Sequence, residues 1–493
     1  MAHDTLPYRS ARDLVSAMSA GGLSSRELLE ALVTRIQRFN PAVNAVVALD
    51  LERARLAADA ADGAVRRGEP LGPLHGLPMT IKDTYEVPGM PCTAGAPVYR
   101  DHRPKRAAFA VQRLIDAGAI PFGKTNVPYL ASDLQSYNRI YGITHNPWNP
   151  DLTAGGSSGG AAAALAAGFT PLELGSDIGG SIRIPAHFCG VYGHKPTHGI
   201  VSLRGHIPGP PGTRSEPVLA VAGPMARTAD DLDLMLDVIA GPGPTMQPGW
   251  QLHLPPAPHG SLKEFRVLLW LEDEHCPLDP RMVPVYRQLE QVLRGAGAKV
   301  DVGSPLGWNL DKLYPTYVTQ LSAAIMVGTP GYLRGSMRAL APAAKLARRV
   351  VDVPRHADRF LAGAGMSHSD WIVSCEKTQR LKEKFLTVFD DYDVILAPPT
   401  LTTAFAHDHE GHLSQRKVDV AGTRRHYLDL FMWIAPATLL GLPATSAPVG
   451  RTEQGSPVNI QIIGDQYEDR TTIRFAKLLA PLIGGFEVPT PLR

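Results

Sequence analysis

Two segments of the chain carry serine inside runs of glycine, and no others are better placed by residue type and spacing to do chemistry. The first is Gly155-Gly156-Ser157-Ser158-Gly159-Gly160; the second is Gly175-Ser176-Asp177-Ile178-Gly179-Gly180-Ser181-Ile182-Arg183. Glycine lets the main chain take positive φ and brings backbone N–H groups close to a ligand, which is what holding an oxyanion demands. A serine hydroxyl is a weak nucleophile until a neighbouring base takes its proton. One Gly-rich loop is usually a turn and nothing more; two that carry serine are unusual.

Competing motifs fit less well. Gly155 to Gly159 matches the Gly-x-Ser-x-Gly nucleophile elbow, but that elbow follows a strand, and the preceding Asn146-Pro147-Trp148-Asn149-Pro150-Asp151 reads as a turn. A phosphate-binding loop needs Gly-Lys-Ser/Thr after its glycines, which is absent. Ser374-Cys375-Glu376-Lys377 has the Ser-x-x-Lys pattern of penicillin-recognising enzymes without their Lys-Thr-Gly companion, and falls in a helical stretch. His194 and His198 have helical metal-ligand spacing, but Pro196 between them breaks the helix that would align them. Cys92, Cys189, Cys276 and Cys375 are too far apart for a metal knuckle or redox pair. No metal and no cofactor is expected.

The elements that must position the serines can be read from periodicity. Residues 24 to 40 predict a helix capped by Ser24 or Ser25, with Leu28, Leu29, Leu32, Ile36 and Phe39 on one face and Pro41 closing it. Residues 50 to 68 predict a second helix. From about 71 to 224, short apolar runs alternate with Gly, Ala, Ser, Thr and Pro, the texture of strands and small-residue helices joined by tight turns. Lys82 ends the alternating run from Leu77 to Ile81, a strand-like segment able to lead it inward. Residues 241 to 260, dense in Pro and Gly, predict a surface loop, and 280 to 390 a mostly helical region that includes 282–294 and 369–390. Strands are predicted at 265–270, 393–397 and 458–464, and strands alternating with helices argue for an α/β sheet between helical layers. No internal repeat is visible.

Composition bounds the partners. The chain has 493 residues, 44% apolar and 19% charged, with a formal net charge of +2. A disordered polypeptide is excluded, and no field exists to draw a nucleic acid or an anionic membrane. With no apolar N-terminal run and no stretch of about 18 apolar residues, a cytoplasmic location is the expectation.

Taken together, the two serine motifs, Cys189-Gly190-Val191-Tyr192-Gly193-His194-Lys195-Pro196-Thr197 after them and Pro78-Met79-Thr80-Ile81-Lys82-Asp83 before them resemble the amidase signature family. The likeness is densest from about 70 to 240 and resumes at Pro398-Pro399-Thr400 and Gly441-Leu442-Pro443-Ala444. Spacings of 75 residues from Lys82 to Ser157 and 24 from Ser157 to Ser181 fit the family. The resemblance implies a single α/β domain, a central mixed β-sheet covered by helices on both sides. Within it, an N-terminal helical segment (1–70), the signature core (71–240), a variable, mostly helical substrate-side region (241–390) and the rest of the core (391–493) would succeed one another.

It also implies a Ser–cis-Ser–Lys triad: Ser181 as nucleophile, Ser157 as bridge with a cis peptide to Gly156, and Lys82 as base. Backbone N–H groups of Ile178, Gly179, Gly180 and Ser181 would form the oxyanion hole; Ala131 and Ser157 would contact substrate, and Ser158, Asp177 and Arg183 would support the site through hydrogen bonds. For Lys82 to act as a base it must be neutral, which requires a pKa lowered by roughly 3 units, within reach of burial. Ala154 and Thr438 depart from the family's usual Pro and Asn, bearing on subgroup and substrate rather than mechanism.

The implied activity is hydrolysis of a small-molecule amide through an acyl-enzyme, with esters and carbamates such as urethanes as further substrates. Substrate contacts are expected from residues 204 to 216 and from 305 to 335, where Trp308, Tyr314, Tyr317, Met326 and Tyr332 would favour a bulky apolar or aryl group. The alternative is the A subunit of a tRNA-dependent amidotransferase, but the run Gly199-Ile200-Val201-Ser202-Leu203-Arg204-Gly205-His206-Ile207-Pro208 resembles stand-alone amidases. Association into a homodimer stays open.

Overall fold

The computed structural model describes residues 5–207, 209–347 and 350–492. Its helices begin where side chains can satisfy their free N–H groups. The helix Ser25–Val43 opens on a capping box: Ser24 accepts from the Glu27 N–H, and the Glu27 carboxylate accepts from the Ser24 N–H at 2.9 Å. Pro41 does not close this helix as expected but lies in its last turn. A proline there cannot donate to the carbonyl four residues back, yet the helix runs two residues past it, and Asn44, left-handed at φ 51°, makes the stop by donating its N–H to the Asn40 carbonyl. The second predicted helix runs over Leu51–Arg66, capped by Asp50.

Three strands form a small sheet: β1 (Val46–Leu49), β2 (Pro78–Lys82) and β3 (Ile120–Thr125), in the order β1-β3-β2, with β3 antiparallel to β1 and parallel to β2. Eight more build the central sheet: β4 (Leu172–Asp177), β5 (Tyr192–Lys195), β6 (Val221–Ala226), β7 (Arg266–Leu269), β8 (Lys299–Val302), β9 (Val394–Ala397), β10 (Ala444–Arg451) and β11 (Pro457–Ile463). Their order is β8-β7-β9-β11-β10-β5-β6-β4. The sheet is mixed: β8, β7 and β9 are parallel, and the other pairings are antiparallel.

Four helices bear on the site: α1 (Gly159–Ala166), α2 (Arg183–Cys189), α3 (Tyr314–Ile325) and α4 (Asp469–Ile483). Neighbouring residues of β10 show that α2 and α4 cover opposite faces. Thr445 Oγ1 meets Thr472 of α4 at 2.9 Å, whereas Ser446 donates to the Arg183 carbonyl of α2 at 3.2 Å. Successive side chains of a strand point to opposite sides, so the helices do too. The core divides accordingly, with Val267, Leu269, Leu396 and Ile462 in one apolar cluster and Leu268, Ile395 and Ile463 in the other. Burial on both faces explains why these strands read as continuous apolar runs.

The small sheet joins the edge of the large one through side chains. Thr80 of β2 donates its N–H to Thr170 at 3.0 Å and its hydroxyl to the Glu173 carboxylate of β4. Lys82 and Ser176, at the C-terminal ends of these two strands, thereby come together. Among the described residues no helix is long and apolar enough to cross a membrane.

Candidate active site

Lys82 has no exposed surface, and its Nζ lies 2.8 Å from Ser157 Oγ, 2.8 Å from Ser158 Oγ and 2.9 Å from Ser176 Oγ. Burial pulls its pKa down to about 7, against the opposing pull of the Asp177 and Glu173 carboxylates. Burial thus favours the neutral amine over the ammonium far more than at an exposed lysine. Of the three residues Ser181 is the most exposed, at 6% against 1% for Ser157 and none for Lys82.

Ser157 lies in the turn before α1, and the Gly156–Ser157 peptide is cis. The turn needs glycine at 156 because a Cβ there would meet the Asp133 carbonyl at 2.5 Å and the Gln135 nitrogen at 2.7 Å. This close approach sets the segment containing Ala131 against the serine turn. Ala131 itself has φ 54° and donates its N–H to the Pro128 carbonyl at 3.0 Å. Its carbonyl, rather than its N–H, is what remains to offer a ligand. The two serine turns are joined by the Ser158 N–H, which donates to the Ser181 carbonyl at 3.2 Å.

The second turn is held by Asp177, at the end of β4. Its carboxylate accepts from the N–H of Gly180 at 3.0 Å and of Ile182 at 3.1 Å, and from the Arg183 guanidinium at 2.9 and 3.1 Å. Burial would push this carboxyl up, but Arg183, Lys195 and the Ile182 N–H together outweigh it and hold it below the usual range. Arg183 continues to the Ile434 carbonyl, Gln461 and Thr438, so Thr438 belongs to the Arg183 network. Because the Gly180 N–H is donated to Asp177, the expected set of four oxyanion donors narrows. The N–H groups of Ile178, Gly179 and Ser181 have no acceptor among the described residues.

Of the five side chains expected at a pocket, Tyr317 of α3 reaches this turn, donating its hydroxyl to the Ile178 carbonyl at 3.0 Å. Tyr314 bonds the Leu428 carbonyl, Trp308 packs on Phe385, and Tyr332 is 77% exposed. Phe431, which the sequence did not single out, lies where a Cβ on Gly179 would meet its ring at 2.8 Å.

Other sequence candidates fall elsewhere. Ser374 to Lys377 lie within the helix His368–Leu386. His194 uses both ring nitrogens internally, on Thr445 at 2.9 Å and Asp469 at 3.0 Å. All four cysteines are free, and among the described residues no group of His, Cys, Asp or Glu is arranged to hold a metal. Sequence reasoning missed Ser176, His206 and Glu173 around Lys82: the packing of β2 on β4 brings Ser176 and Glu173 there, and the bridge between Tyr85 and His206 brings the histidine.

Comparison with known proteins agrees with this architecture. The chain matches the Amidase family over residues 27–473. It is 34% identical to the A subunit of a glutamyl-tRNA(Gln) amidotransferase from Chloroflexus aurantiacus, with 93% of each chain covered. To an acylamidase of Rhodococcus erythropolis it is 31% identical, covering 97% of this chain and 96% of the relative. Among solved structures, a bacterial aryl acylamidase of the amidase signature family superposes with a TM-score of 0.77 at 25% identity, covering 96% of both chains. The chain belongs to the amidase signature family. It is an enzyme, an amide-bond hydrolase.

Proposed function

We propose that the enzyme cleaves a carboxamide C–N bond through an acyl-enzyme on Ser181, with Lys82 as base and Ser157 as relay. Ser181 Oγ attacks the carbonyl carbon as its proton passes to Ser157 Oγ and the Ser157 proton passes to Lys82 Nζ. The oxyanion is received by the free N–H groups of Ile178, Gly179 and Ser181; such a donor is worth roughly 3 kcal/mol of barrier. The C–N bond breaks as the proton returns through Ser157 to the leaving nitrogen, and water repeats the sequence on the ester. The single observation that carries this reading is a fully buried Lys82 at 2.8 Å from Ser157 with its pKa drawn to about 7.

The same chemistry accepts aryl esters and carbamates, and the aromatic side chains of Tyr317 and Phe431 beside residues 178–179 support a bulky apolar or aryl acyl or amine group. That α3 reaches the site also supports a substrate-side role for residues 241–390. The test is hydrolysis of chromogenic anilides, aryl esters and aryl carbamates by the purified chain beside Ser181→Ala. Turnover lost in the variant supports the reading and ranks the substrates. The 34% identity to one component of an amidotransferase favours one second reading, a chain that works within a complex. A folded protein silent on the whole panel would support that instead.

A further inference from the structure

Besides Lys82, Ser176 faces His206, whose Nε2 lies 3.0 Å from its Oγ, and the hydroxyl of Tyr85. A neutral amine has two N–H groups and one lone pair, so of three hydroxyl neighbours two must accept and one must donate. Ser158 donates its own proton to the Ser176 carbonyl at 3.4 Å and is thereby an acceptor toward Lys82. Ser157 and Ser176 are left to compete for the lone pair, and only Ser157 can use it to activate Ser181.

We propose that His206 is a positioning residue for amide hydrolysis. Its Nε2 accepts the Ser176 proton, Ser176 then accepts an N–H of Lys82, and the lone pair faces Ser157. The inference rests on Lys82 being the base. The ring is held in place: Ile207 donates its N–H to the Thr84 carbonyl at 2.7 Å, His206 bridges Tyr85, and the two rings meet edge to face with centroids 4.7 Å apart. Tyr85 is anchored in turn by donating its hydroxyl to the Gly175 carbonyl at 2.7 Å. Burial first, then the charges of Lys82 and Lys124, push the imidazole well below its ordinary pKa, so the ring stays neutral and able to accept. The titratable groups facing this chain of hydrogen bonds are Lys82, Lys124 and Tyr85, with Glu173 and Asp177 acting on Lys82.

The test is the pH profile of kcat/KM for His206→Phe and His206→Gln on a substrate the wild type turns over. Phenylalanine, made in a Tyr85→Phe background so that the tyrosine oxygen cannot take the proton instead, leaves the Ser176 proton no acceptor but the Lys82 lone pair, which favours the neutral amine and blocks Ser157. The acid limb should therefore move to lower pH while the plateau falls about 10- to 100-fold, a part of the roughly 10²–10⁴ that general base catalysis supplies. Glutamine keeps an acceptor and should keep the limb. In a Ser176→Ala background, His206→Phe should cost nothing further. A limb that stays in place, or an equal loss with and without the Ser176 hydroxyl, overturns the proposal. Should the phenylalanine variant not fold by circular dichroism, His206→Asn, too short to reach Ser176, carries the same test. Lys82→Ala runs alongside: if it retains activity the base assignment fails, whereas a dead Lys82→Ala with unchanged His206 variants sinks only this inference.

Discussion

Arg183 and Asp177 form a fully buried ion pair at 2.9 Å that also fixes the backbone between them, since the same carboxylate accepts from Gly180 and Ile182. The pair therefore acts on the direction of the N–H groups at 178, 179 and 181, which this carboxylate does not engage. Removing one partner leaves a buried charge uncompensated, at a cost of about 3–5 kcal/mol.

Arg183→Met should accordingly lower the denaturant midpoint and the activity together. Arg183→Lys should do nearly as badly, because a lysine cannot serve Asp177, Gln461, Thr438 and Ile434 at once. Chemical unfolding curves beside kcat/KM check this; a lysine variant with wild-type stability would refute the fork's role.

Lys82 gives a pH prediction with a defined sign. As the base proposed above it would act as the free amine, so kcat/KM should rise with pH through about 7 and level off above it. Lys82→Arg, which cannot lose its proton in this range, should lose on the order of 10²–10⁴ at every pH. Folding stability offers a second readout. The folded pKa lies below the unfolded value, so between about 7 and 10 the unfolded chain binds more protons and this residue adds stability as pH rises. From about pH 7 to 9 the unfolding free energy of Lys82→Met should climb less steeply than that of the wild type, by up to about 1.4 kcal/mol per pH unit. Equal slopes would mean that Lys82 is charged in the fold.

How much of this was legible in the sequence depends on the distance over which each feature is decided. The helix Ser25–Val43 announced itself through its serine cap and an apolar stripe, all local, and only its end was misplaced, because the stop is made by Asn44 rather than Pro41. The strand that delivers Lys82 was visible as alternation from Leu77 to Ile81. Ser176 and His206 carried no local signal: they meet Lys82 across 94 and, through Ser176, a further 30 residues of sequence, a placement set by the packing of β2 on β4 and by the bridge between Tyr85 and His206. The donation of the Gly180 N–H to Asp177 was hidden for a related reason, as a turn's sequence does not say which of its N–H groups an adjacent carboxylate will take.

Tyr317 tests whether α3 tunes the turn at residues 178–181. Its buried hydroxyl donates to the Ile178 carbonyl. Tyr317→Phe removes that bond without opening space, at a cost of about 1 kcal/mol. If the bond orients the peptide that follows Ile178, kcat should fall roughly fivefold with KM little changed, since about 1.4 kcal/mol is tenfold in rate. A change confined to KM would make Tyr317 a wall of the substrate pocket instead.

Gly179 separates backbone geometry from bulk at the same turn. Its φ is not positive, so alanine is tolerated by the main chain, but the new Cβ would meet the Phe431 ring at 2.8 Å. That distance forces either the ring or the turn to shift, and overpacking of this kind costs about 1–3 kcal/mol. Gly179→Ala should therefore lower kcat/KM, and Phe431→Leu, which clears the ring, should restore part of it in the double variant. The cycle of four proteins, assayed on one substrate, isolates the interaction of the two side chains from their separate effects. Losses that simply add would show that the Gly179 N–H is sensitive to any side chain at that position and that Phe431 does not bound the turn.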